Sequence, residues 1–296
     1  MAITTTVEKN KGENKAKWCN GSTYEKHVYD SIQDITSIKT PYLNEKNKNH
    51  WETYSNRYKE NKSVWLSPNG STNVEIEEFC KTGWQEGSDK ALKLINTISL
   101  PIVESVKRKR VRSDRGDELD IHQVYRGELN KAWKRTKRLS KKAPKRFTLV
   151  ARIGANASTQ SDELFWRGVS TLALATVLSK AGHSVEIIGY IQNNGCYGSK
   201  ANSSRLDIVT IKSFQNPLDI DALANVLCLS GFFRHFLFRA WLASERSVVY
   251  HFGTATYEKL DLRCGNTKSI QIDIPSNKLR DKETVEKYIK DTIQSI

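Results

Sequence analysis

Between Phe147 and Ile188 the spacing of the apolar residues changes twice, and that change limits the chain to few folds. Phe147, Leu149, Ala151 and Ile153 alternate with Thr148, Val150 and Arg152, the period of a strand. Residues 154–158, Gly-Ala-Asn-Ala-Ser, turn the chain. The next run is helical as far as Ala181, with Thr159 and Asp162 in capping-box spacing and Gly182 as its stop. Residues 185–190 then read as a second strand. Further strands fit 206–211, 247–252 and 269–274. A helical pair spans 221–243, interrupted at Ser230-Gly231, and a last amphipathic helix runs through Val285, Tyr288, Ile289 and Ile293. Strands separated by helices imply crossover connections, so residues 147–296 are expected to form an α/β domain. Its sheet should be mostly parallel and doubly wound, with helices on both faces.

The residues before it have another texture. Residues 1–62 are polar and rich in Lys, Asn, Glu and Thr, which predicts a partly disordered arm, with 1–20 fully so. Within the arm, Trp51, Tyr54 and Tyr58 are spaced to line one helix face. Such a stripe either packs on the main domain or offers a stacking surface for bases. Residues 63–106 read as a helical subdomain. Asn73 is placed to cap a helix through Ile76, Phe79 and Cys80 that stops at Gly83, and a second helix fits 89–98.

Charge separates the remaining stretch, 107–146. The chain carries a formal net charge of +14, and these 40 residues hold sixteen Lys or Arg against five acids. Clustered cations attract a polyanion and release its counterions on binding. The expected contacts are Lys107, Arg108, Lys109, Arg110, Arg112, Lys131, Lys134, Arg135, Lys137, Arg138, Lys141 and Lys142. The segment is expected to be a loop followed by a helix from about Glu128 to Ser140, in which Trp133 is the lone large apolar group. Trp133 either anchors that helix to the α/β domain or stacks on a base. From Lys131 to Lys142 no acid interrupts the cations, so they repel one another until a polyanion arrives. The acids Asp114, Asp117, Glu118 and Asp120 precede them and are expected to order the segment through ion pairs rather than to hold a metal for a nuclease.

Other classes of function find little support. No run reaches the roughly 18 apolar residues of a membrane span. The first residues lack the apolar core of a secretory signal, so a cytoplasmic location is expected. The five cysteines are scattered and never closer than 32 residues, which gives neither a zinc pair nor a disulfide framework. Phosphate-loop, dinucleotide, zincin and nucleophile-elbow motifs are absent, so no catalytic residue and no cofactor is expected.

Several pieces resemble a known family. They are Gly83-Trp84 with Gly87, the run at 108–110, residues 116–120 (Gly-Asp-Glu-Leu-Asp), the turn at 154–158, Arg167-Gly168, Ala181-Gly182 and the helix at 234–241. Over residues 64–255 the chain is similar to a family of phage proteins carrying a degenerate von Willebrand factor A-like domain. In the parent fold a divalent ion binds an Asp-x-Ser-x-Ser motif after the first strand. The matching positions here are Gly154, Asn156 and Ser158, and without the leading carboxylate a hard cation loses its best ligand. The resemblance implies a phage protein acting in the host cytoplasm and, with the basic segment, a non-catalytic nucleic-acid-binding role in replication, transcription or packaging. DNA is expected before RNA. The competing expectation is an adaptor that recruits a phage or host protein, with oligomerisation open.

Overall fold

The computed structural model of the chain describes residues 3–9, 23–38, 45–97, 107–139, 145–156, 158–195, 203–243, 269–275 and 278–296. In chain order its elements begin with strands β1 (Ile3–Lys9) and β2 (Thr23–Tyr29) and helices α1 (Ile32–Thr36), α2 (Glu45–Arg57), α3 (Asn73–Thr82) and α4 (Gln85–Thr97). The basic segment contains β3 (Lys107–Ser113), β4 (Glu118–Leu119), α5 (Ile121–Tyr125) and β5 (Trp133–Leu139). Then come β6 (Arg146–Arg152), α6 (Ser161–Lys180), β7 (Ser184–Gly195), β8 (Ser203–Lys212) and α7 (Ile220–Cys228). The chain continues through α8 (Ser230–Phe232), a π-helical turn, α9 (Phe238–Ala243), β9 (Ser269–Asp273) and α10 (Lys282–Gln294).

The expected strand–helix–strand unit is present as β6–α6–β7, with β6 and β7 parallel and in register from Arg146↔Ser184 to Arg152↔Tyr190. β6 is buried from Phe147 through Arg152, so both faces of this central strand are covered. α6 is buried on nearly every side from Leu164 to Leu178 because α4, α7 and α10 pack on it as well as the sheet. That placement explains why apolar residues occur all round the helix rather than on one stripe.

Among the described residues six strands form the main sheet, in the order β1-β2-β8-β7-β6-β9. Three of its pairings are parallel, β2–β8, β6–β7 and β6–β9, while β1–β2 and β7–β8 are antiparallel. The fold is therefore mixed α/β. β8 runs against β7 because only seven residues join them, too few for the dozen or more that a parallel crossover needs.

Two expectations give way here. Residues 1–62 are expected to be a partly disordered arm, with 1–20 disordered; β1 lies within 1–20, β2, α1 and α2 follow, and β2 is hydrogen-bonded into the main sheet beside β8. The arm's scarcity of aliphatics misled because the sheet is closed there by polar groups. Tyr29 is buried and its hydroxyl donates to Asp207 at 3.2 Å. The helix expected from Glu128 to Ser140 is instead strand β5, discussed below. Smaller boundaries also shift. Thr72, not Asn73, caps α3, in a reciprocal box with Glu75, and α6 starts after Gln160 with no side-chain cap. The strand expected at 247–252 lies outside the described residues.

Candidate nucleic-acid interface

The basic segment folds as a three-stranded sheet of its own, ordered β3-β5-β4. β3 and β5 run antiparallel over seven register pairs, from Lys107↔Leu139 to Ser113↔Trp133. Nine of their fourteen positions are Lys or Arg. Gly116 makes the turn into β4 possible, since a Cβ there would lie 2.4 Å from the Lys134 carbonyl oxygen. The neighbouring Asp117 N–H donates to that same oxygen at 3.1 Å, and Asp120 N–H to the Ala132 carbonyl at 2.6 Å. Among the described residues, the hydrogen bonds and ion pairs of 107–139 close within the segment.

A strand replaces the expected helix for a physical reason. Seven consecutive residues with four cations would crowd like charges at i, i+3 and i+4 on a helix. In β5 the side chains alternate between two faces, and β4 delivers acids to one of them. Glu118 lies 3.4 Å from Arg110 and 3.7 Å from Lys134, and Asp120 lies 3.5 Å from Lys134 and 3.8 Å from Arg112. Partial burial raises the Asp120 carboxyl, but the Lys134 and Arg112 charges overcome it and hold the group below the ordinary carboxylate value. Lys131 pairs with Glu128 at 3.4 Å in the turn leading into β5.

The structure thus brings Lys107, Arg108, Lys109, Arg110 and Arg112 of β3 alongside Trp133, Lys134, Arg135, Lys137 and Arg138 of β5. Lys141 and Lys142 lie outside the described residues. Trp133 is half-buried, opposite Ser113 on one side and Leu119 on the other. It therefore sits within the small sheet rather than on a helix docked to the α/β domain.

The turn after β6 is built differently from the metal motif it resembles. A Cβ on Gly154 would lie 1.9 Å from Ile191 Cδ1, so β7 leaves no room for a carboxylate there. The buried Arg167 guanidinium donates to the Arg152 and Gly154 carbonyls at 2.8 and 3.1 Å, fixing the turn from beneath. Asn156 and Ser158 flank it on a loop that precedes α6.

The profile of a family described as a domain of unknown function (DUF7192) matches residues 8–293. The chain belongs to that family. No curated protein and no solved structure matches it. The family's span takes in both sheets, so the basic ribbon is part of the same unit of sequence as the α/β domain.

Other groups singled out in the sequence serve the core. Tyr54 donates to the Arg234 carbonyl at 2.8 Å, and Tyr54 and Tyr58 pack their rings on Trp65. Of the two readings of that stripe, packing on the main domain fits; the Trp51 side chain is outside the description. Arg234 is fully buried over the Trp65 ring at 4.3 Å and donates to the Trp65 and Thr159 carbonyls. His235 and Arg239 both meet Glu77, at 3.0 and 3.1 Å, tying α3 to the helix after α8. Burial pushes the Cys228 and Cys80 thiols up, Cys80 to about 11, which keeps both in the unreactive protonated form.

The buried network around Asp207 is not anticipated from the sequence. Arg205 donates to it through Nε and Nη2 at 2.7–3.0 Å, and the Trp241 indole N–H donates at 2.7 Å. The Arg-x-Asp spacing on β8 is its only local signal. Among the described residues no single helix is long and apolar enough to cross a membrane; α7 and the helix after it pass only as a pair bent by 66°.

Proposed function

We infer that this protein binds nucleic acid through the β3–β5 ribbon and acts as a non-catalytic accessory protein. The observation that carries the reading is the ribbon's register. Arg108 stands opposite Arg138, Lys109 opposite Lys137 and Arg112 opposite Lys134, and like charges directly opposite one another destabilise a strand pair. Among the described residues, Glu118 of β4 and the following Asp120 meet Arg110, Arg112 and Lys134, at the end of the ribbon nearest them. A phosphate backbone is the ligand that relieves the remainder.

The main domain, on this reading, is a degenerate von Willebrand factor A-like scaffold of phage origin. Support comes from the β6–α6–β7 unit and from a glycine standing where the fold's metal-binding aspartate would be. The test is a salt titration of binding, by fluorescence anisotropy with labelled oligonucleotides. With about 6–10 phosphate contacts, affinity falls by roughly 10³–10⁵ between about 50 and 200 mM salt. Changing Lys134, Arg135, Lys137 and Arg138 together to Ala removes most binding and leaves the unfolding midpoint of the α/β domain in place. An affinity that is flat with salt, or equal in the variant, overturns the reading. A partner protein captured equally well by the variant and the wild type would favour an adaptor instead.

A further inference from the structure

We propose that the ribbon binds a single strand rather than a duplex, seating a base on the Trp133 indole from the sheet face that carries Val111, Leu119 and Arg135. This rests on the reading that the ribbon binds nucleic acid, and it assigns the ligand class and the binding face.

The two faces of the small sheet are unlike. Residues directly opposite in an antiparallel pair share a face, and successive residues alternate. Arg110, Arg112, Lys134 and Glu118 therefore occupy one face, as their ion pairs also require. Every ion pair described for the sheet lies there, with Asp120 completing the set. On that face Glu118 and Asp120 answer Arg110, Arg112 and Lys134, and Arg108 and Arg138 continue it in register.

The other face carries Val111, Ser113, Leu119, Trp133 and Arg135. Val111 is 37 % exposed and Leu119 45 %, and Arg135 is exposed. Lys109 and Lys137 continue the same face in register. Arg135 thus borders an apolar strip with one aromatic, Trp133, at its centre. No acid of β4 falls on this face, because Glu118 pairs with Lys134 and only Leu119 pairs with Trp133.

That combination selects for strandedness. A duplex stacks its bases internally and presents phosphates and groove edges, so an apolar and aromatic strip against it would gain little and would lose water from its charged border. An unpaired strand offers the π-face of each base together with a phosphate. Stacking on an aromatic beside backbone-tracking cations is how sequence-tolerant single-strand binding works. In a strand the neighbouring same-face position is about 7 Å away, so Arg135 can take a phosphate while Trp133 takes a base.

The experiment compares single-stranded DNA and RNA oligonucleotides of about 10 nucleotides with a duplex of the same length, within the 4–16 nucleotide range of such sites. Full-length wild type, Trp133→Phe and Trp133→Leu are titrated at fixed salt, and their unfolding midpoints are measured alongside. Leucine keeps an apolar side chain in the strand but has no ring. The expected result is tighter binding of the single strand, retained by Trp133→Phe and weakened about 5- to 150-fold by Trp133→Leu, with duplex binding and the midpoint unchanged. The DNA and RNA arms say which sugar is preferred. Equal affinity for duplex and single strand, or Leu and Phe variants that bind alike, overturns the proposal while the nucleic-acid reading stands. Loss of binding by Arg110→Ala with Arg112→Ala, and not by Trp133→Leu, would move the ligand to the opposite face and overturn it too. If wild type binds none of the probes in a salt-dependent way, the underlying reading fails first.

Discussion

Replacing Asp207 by Asn tests how the N-terminal strands are held to the α/β domain. Asp207 is buried on β8 and accepts from Arg205 of the same strand, from Tyr29 of β2 and from Trp241 of α9. Burial alone would lower the Arg205 pKa, yet the Asp207 carboxylate more than offsets it and raises it, so the guanidinium stays charged inside the protein. Asparagine keeps an acceptor for Tyr29 or Trp241 but removes the counter-charge. Breaking a buried pair by removing one partner costs about 3–5 kcal/mol, since the other charge is left uncompensated. At about 2–4 °C per kcal/mol, the melting midpoint should fall by roughly 6–20 °C. Urea unfolding followed by tryptophan fluorescence gives the same quantity independently. The double variant Arg205→Met with Asp207→Asn removes both charges and keeps the acceptor. It should recover most of the loss, with a coupling energy of about 2 kcal/mol or more. A single variant within about 1 kcal/mol of wild type, or a double variant with additive losses, would refute the assignment of a charged pair.

Two further outcomes follow from the structure. Gly154→Asp should destabilise the protein by more than the roughly 1–3 kcal/mol of ordinary overpacking, because its Cβ meets Ile191 Cδ1 at 1.9 Å and its carboxylate is then buried. Adding Ile191→Ala should relieve part of that loss, and a full recovery with magnesium alone would show that the turn can form the ion site of the proposed von Willebrand factor A-like scaffold. Acid should weaken the α3 anchor in two stages, read from unfolding midpoints between about pH 4 and 8. Burial lowers the His235 pKa, so its contribution is present above the unfolded value of about 6.5 and is lost as pH falls below it. The hydrogen bond from His235 lowers the Glu77 carboxyl, so that contribution is lost later, as pH falls through the carboxylate range. His235→Gln should flatten the upper stage and Glu77→Gln the lower; a midpoint that rises on acidification contradicts both signs.

By itself the sequence determined the strand–helix–strand unit, the charge block and most helix positions in the second half. Those features rest on local spacing: the period-two run at 147–153 and the twenty-residue helix after it are set by near neighbours, and the break expected at Ser230-Gly231 falls one residue earlier, at Leu229. Only the tertiary structure decided the rest. β2 finds its place because a buried acid on β8, 178 residues away in sequence, accepts its tyrosine hydroxyl, a contact that no window of sequence contains. The basic segment becomes a ribbon rather than a helix because Glu118 and Asp120 return, through the Gly116 turn, to lie beside Lys134 and the arginines of β3. Read in order, Lys131 to Lys142 contains no acid; folded, Lys134 lies beside both Glu118 and Asp120. Charge balance depends on distance in space, falling off as Coulomb's law prescribes, and the chain had to fold before that distance existed.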